Sequence, residues 1–157
     1  MPGAPRDTNI LIASLLRDLA SVQKSAQSKW GYKRAASAIL NLDEPIESLR
    51  LPDGTLPKIP NVGPSSLRVV MEALETGGSP TVERAVEAAG RRAETEKSRA
   101  LRGNFLSRAQ VVAALRNPRL REPRPSEYRG DLQMHSVYSD ANFVFHPQVA
   151  IDDQNPS

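Results

Sequence analysis

The chain has 157 residues, of which 39% are hydrophobic, 25% charged and only 4% aromatic, with a formal net charge of +3 and no cysteine. That length suits one domain of ordinary size or a small domain with a tail, and a core poor in aromatics favours packed helices of Leu, Val, Ile and Ala over a large sandwich. Disulfides, thiolate metal sites and cysteine nucleophiles are excluded, and no apolar run reads as a secretory signal or membrane span, so a cytoplasmic protein is expected.

Ile12, Leu15, Leu16 and Leu19 recur at helical spacing and predict a first helix over Thr8 to Val22, with Arg17 and Asp18 on the other face. Asp7, Thr8 and Asn9 are all good N-cap types. Polar residues from Gln23 to Ser28 read as a short connection. A second helix over Trp30 to Leu42 carries Ala35, Ala38, Ile39 and Leu42 on one face. Pro45 opens a single turn with Ile46 and Leu49, and Pro52-Asp53-Gly54 sets up a chain reversal.

Pro64 opens the best-defined helix, in which Leu67, Val70, Met71 and Leu74 form a stripe and Gly77-Gly78 provide the stop. Ser79-Pro80 starts a less apolar helix, interrupted by Gly90 and reaching Leu101. Ser107 and Gln110 form a capping box, with Leu106 and Val111 placed as its hydrophobic staple, for a last helix ending near Asn117-Pro118. Pro118 to Arg129 reads as an extended linker, and Leu132-Gln133-Met134-His135 alternates as one strand would. The predicted fold is all-α, a four-to-six-helix domain followed by an extended C-terminal tail. Its shared core holds Leu16, Leu19, Ile39, Leu42, Val62, Leu67, Val70 and Leu74.

Acids and bases nearly cancel up to Ser79, and the basic excess lies between Arg84 and Arg129. Such a basic middle suits a polyanionic partner, or equally forms a solvated arginine-rich helix and linker. The stretch Ile59-Pro60-Asn61-Val62-Gly63 reads as a tight hairpin feeding a helix. That arrangement leaves backbone N–H groups without partners at the positive end of the helix dipole, where a phosphate fits. Gly63 and Asn61 are read as the positive-φ positions, with Val62 plugged into the core.

These residues resemble the helix-hairpin-helix of DNA repair proteins, whose usual form is Pro-Gly-apolar-Gly, with Asn61 in place of the first glycine. Together with Tyr32-Lys33-Arg34-Ala35-Ala36-Ser37 and Leu74-Glu75-Thr76-Gly77, they look like the N-terminal domain of family X (beta-type) DNA polymerases, from Asn9 to Gly78. The resemblance implies binding to gapped or single-stranded DNA, near a 5′-phosphate, in a DNA-repair role. It makes Lys58, Asn61, Val62, Gly63, Ser65, Ser66, Arg68, Tyr32 and Lys33 the candidate DNA-binding residues. The carbonyls of Pro57, Ile59 and Val62 would hold a monovalent cation, sodium or potassium. Where some members carry a lyase lysine this chain has Val69, the pocket lysine's place is taken by Ser65, and Lys29 is one place out of register. The binding scaffold therefore looks kept and the lyase chemistry lost.

Gly130 to Asp140 is similar to the opening of a PHP phosphoesterase domain, with Gln133 at the first His position and His135 and Asp140 matching metal ligands. A barrel of that kind needs roughly two hundred residues or more, so the chain reads as stopping just inside that domain. Divalent metals are expected only with a complete PHP domain. The segment from Ser79 to Arg129 holds no Asp and is too short for a polymerase palm. The expected division is 8–78 for the DNA-binding domain, 79–117 for a helical extension, 118–129 for the linker and 130–157 for the PHP start. Three functions follow: a structure-selective DNA-binding module without enzymatic activity, a fragment of a metal-dependent phosphoesterase, or a protein-docking module.

Overall fold

The structure, a computed structural model, describes residues 7–117. Among the described residues it has six α-helices: α1 (Thr8–Ser21), α2 (Ala26–Leu40), α3 (Pro64–Thr76), α4 (Pro80–Ala88), α5 (Arg92–Arg102) and α6 (Arg108–Leu115). A single 3-10 turn over Ile46–Leu49 follows α2, and there is no strand within this range. The expected linker, the strand near Leu132 to His135, and the PHP-like segment with His135 and Asp140 lie outside the described residues.

Helix α1 is the centre of the fold. It packs against α2, α3, α4, α5 and the 3-10 turn, so it is buried on more than one face. Ile12, Leu16, Ile39, Ile46, Val69, Val70 and Val82 are wholly buried and form one cluster with Leu15, Leu19 and Val86. Asn9, read from sequence as a cap, is also buried. Its Oδ1 accepts from the Ile46 N–H at 2.9 Å and its Nδ2 donates to the Glu44 carbonyl at 3.0 Å, which pins the 3-10 turn to α1. The cap is Asp7, whose carboxylate accepts from the Ile10 N–H.

Four expectations change. Asp18, assigned to the outer face of α1, is 2% exposed, because α4 and α5 fold back over that side and bring Arg99 and Arg102 to it. Helix α2 starts at Ala26 rather than Trp30, because Ser25 accepts from the Ser28 N–H and caps it. Those first residues are exposed, so hydrophobic spacing is silent about them. Leu67 is 37% exposed rather than in the core. The buried face of α3 runs through Ser66, Val69, Val70 and Ala73, where small side chains let neighbouring helices approach; Leu42, Val62 and Leu74 are partly buried against the core. Leu106 and Val111, placed as a staple, are exposed, whereas the capping box of Ser107 and Gln110 is formed. Ser107 is wholly buried and donates to the Asp7 carboxylate at 3.0 Å, which ties α6 to the start of α1.

Gly77 ends α3 in the left-handed conformation at φ +72°, with its N–H on the Ala73 carbonyl. Glu72 then joins α3 to α4: its carboxylate accepts from Ser79 Oγ at 2.5 Å and from Thr81 Oγ1 at 2.6 Å. These hydrogen bonds favour the charged form and hold its pKa below the ordinary glutamate range.

Candidate nucleic-acid interface

The hairpin joining the 3-10 turn to α3 is built by local chemistry. The Val62 N–H donates to the Ile59 carbonyl at 3.1 Å, closing a four-residue turn over Ile59, Pro60, Asn61 and Val62. Asn61 has φ +65° and is the one non-glycine residue with positive φ among those described. Proline second and a left-handed Asn third is the sequence pattern of a type II turn. Buried Ile59 anchors the turn from one side, and Val62 packs against the core from the other.

Gly63 does not take the positive φ expected of it. It is the N-cap of α3 with φ −83° and ψ 174°, and a Cβ added there would meet nothing within 4 Å. The cause is Pro64, whose ring disfavours helical geometry in the residue before it and pushes that residue into the extended region. The backbone strain of the hairpin therefore sits at Asn61.

At the start of α3 the first amide satisfied by the helix is that of Leu67, which donates to the Gly63 carbonyl at 2.8 Å. Gly63 has no side chain to cap with, Pro64 has no N–H, and the N–H groups of Gly63, Ser65 and Ser66 have no hydrogen-bond partner. They open into a groove of about 470 Å³ between α2 and the hairpin. The groove brings together Tyr32, Lys58, Asn61, Val62, Gly63, Ser65 and Ser66 of the sequence-derived set. Lys33 and Arg68 do not line it. The Lys33 ammonium lies over the Trp30 ring, 5.4 Å from its centre, and Arg68 sits one turn before Glu72 on α3, within its electrostatic reach.

Sequence reasoning missed Ser28, Gly31 and Arg34, which also line this groove. Arg34 borders a second groove of about 390 Å³ as well, on the side of Pro60 and Asn61. The signal was present in its spacing: Arg34 follows Gly31 by one helical turn. No carboxylate lines either groove, and neither Arg34 nor Lys58 forms an ion pair. Anions are thus favoured by two side-chain cations and by the open end of a helix.

The carbonyls of Pro57 and Val62 accept no hydrogen bond, and that of Ile59 keeps one lone pair beyond the turn, so all three have capacity for a cation. At the position of the lyase lysine, Val69 is wholly buried. Among the described residues no group of three or more His, Asp or Glu could hold a metal ion, and no helix is long and apolar enough to cross a membrane.

Among the described residues after Ser79, five arginines are held by acids of the chain itself. Arg91 pairs with Glu94 at 2.5 Å, Arg92 with Glu87 at 2.7 Å, and Arg108 with Asp43 at 2.5 Å. Arg99 bonds Asp18 and Glu83, each at 2.6 Å, and Arg102 bonds the other oxygen of Asp18.

Residues 7–79 match the family model of the helix-hairpin-helix domain, so this part of the chain carries such a domain. Domains of this kind generally bind DNA without sequence specificity. No curated protein and no solved structure matches the chain.

Proposed function

We propose that this chain binds DNA through its hairpin, selecting DNA structure rather than sequence, and that its targets are gapped or single-stranded DNA in cytoplasmic DNA repair. The reading rests on one observation above all. The unpartnered amides of Gly63, Ser65 and Ser66 open into a groove that holds Arg34 and Lys58 and no carboxylate. A phosphate there gains backbone hydrogen bonds, the helix dipole and two charges. A sodium or potassium ion held by the carbonyls of Pro57, Ile59 and Val62 would let a second phosphate oxygen approach the hairpin. The repair role and the gap preference come from the likeness to beta-type polymerases, and the PHP-like segment adds no activity of its own. With Val69 in place of an amine, no Schiff base forms at that position.

Binding to labelled gapped, single-stranded and continuous duplex DNA should weaken steeply with salt. Each phosphate neutralised contributes about 0.7–0.9 to the slope of log affinity against log salt. The double variant R34A/K58A should lower that slope by about 1–2, whereas R92A should leave it unchanged. A docking role is the second reading, favoured by the exposed apolar side chains of Leu101, Phe105, Leu106 and Leu115. It would lead if DNA binding proved indifferent both to salt and to R34A/K58A.

A further inference from the structure

Trp30 is the one tryptophan of a chain that is 4% aromatic, and 62% of it is exposed on α2. The core is aliphatic and makes no use of it. On the helix Trp30 lies one turn before Arg34, which borders both grooves at the hairpin. Side chains four apart on a helix are neighbours, about 5–6 Å between Cβ atoms. Trp30 lines neither groove itself, but it stands on α2 next to Arg34, which borders both.

Two further observations concern the surroundings of the ring. The Lys33 ammonium lies over one face of the ring, 5.4 Å from its centre, and most of the side chain's surface is still exposed. Beside it, Gly31 sits inside α2, where glycine weakens a helix. A Cβ at Gly31 would meet nothing within 4 Å, so packing does not require the glycine. Gly31 does line the groove, where it adds no side chain to the wall.

We propose that Trp30 is a stacking platform for an unpaired DNA base adjoining the phosphate held at the hairpin. This deepens the DNA-binding reading above and rests on it. A base in continuous duplex is already stacked on both faces, whereas a base in a gap or single strand offers a free face to an aromatic ring. The indole takes that face, Lys33 and Arg34 hold the flanking phosphates, and Gly31 gives the sugar room against α2. The platform supplies the preference for unpaired bases, and the amides of Gly63, Ser65 and Ser66 supply the anchor.

Because Trp30 is the only tryptophan, its fluorescence reports on this position alone. Titration of the protein with oligothymidylate should quench the emission strongly, and a continuous duplex of equal charge should quench it little. In anisotropy titrations with labelled DNA, W30A should lose about five-fold or more in affinity for single-stranded and gapped DNA. Its duplex affinity and its thermal unfolding should match the parent. W30F should recover part of the loss, and G31A should unfold at higher temperature yet bind single-stranded DNA more weakly. Salt-dependent DNA binding without quenching and without an effect of W30A overturns the stacking role and leaves the hairpin reading intact. Absence of binding to every DNA in anisotropy overturns the hairpin reading, and the stacking role with it.

Discussion

The described residues hold two sets of cations, one around the hairpin and one along α4 and α5, and the fold treats them in opposite ways. Along α4 and α5 four arginines are turned inward or sideways onto acids: Arg99 and Arg102 converge on Asp18, Arg91 takes Glu94, and Arg92 takes Glu87. Around the hairpin there are fewer cations, yet Arg34 and Lys58 face a groove with no acid in it. A formal charge is thus a poor guide to what a surface offers a polyanion. The arginine-rich extension works as a clamp on α1, and the modestly charged hairpin holds the anion-binding capacity. The reason is solvation. A guanidinium already paired with a carboxylate gains little from a phosphate, whereas an unpaired one exchanges only water and small ions for it.

The comparison breaks most visibly at Asp18. Removing one partner of a buried pair leaves the other charge uncompensated, so D18A should cost about 3 kcal/mol in urea unfolding. That is the lower end for such a loss, because the Arg99 side chain is 32% exposed and keeps some water. A cost below about 1 kcal/mol, the value of a surface pair, would mean that the extension is not clamped, and its arginines would return as DNA contacts.

At the hairpin the expected effects are smaller and differ between nearby positions. N61V places a branched side chain at φ +65° and should cost about 1–2 kcal/mol, with weaker DNA binding. G63A should change stability by less than about 0.5 kcal/mol, since its backbone already suits alanine and its Cβ finds open space, while alanine caps a helix less well than glycine. Thermal unfolding of the two variants side by side tests this. The reverse order would move the left-handed position to Gly63.

The smallest effect concerns acid. Glu72 is held below its ordinary pKa by Ser79 and Thr81, so the folded chain binds that proton less readily than the unfolded one. Its contribution to stability is complete above the unfolded value, about 4.3, and is lost as pH falls through the lower folded value. E72Q should therefore flatten the decline in unfolding midpoint below about pH 4. Equal acid profiles for the two proteins would remove Glu72 as the joint between α3 and α4.

Much of the fold was legible because its punctuation acts over a few residues. Pro64 starts α3, Gly77 ends it, Ser79-Pro80 opens α4, Gly90 separates α4 from α5, and Ser107 with Gln110 caps α6. The left-handed Asn61 belongs to the same class. The extended Gly63 was legible too, from the proline that follows it, but the habit of reading glycine as a positive-φ residue hid it. By itself, then, the sequence determined the helices, most of their ends and the turn that presents open amides; the start of α2 is the exception. Which side chains those helices hide was decided only by tertiary structure. Asp18 reads as a surface acid until Arg99 and Arg102, 81 and 84 positions away, close over it. Leu67 reads as core until the small residues Ser66 and Ala73 prove to face the neighbouring helices. Arg34 joins the site only when the hairpin folds against α2. Helix caps and turns are settled by hydrogen bonds between near neighbours in the chain. Burial and charge pairing depend on which distant surfaces meet, and no local pattern carries that.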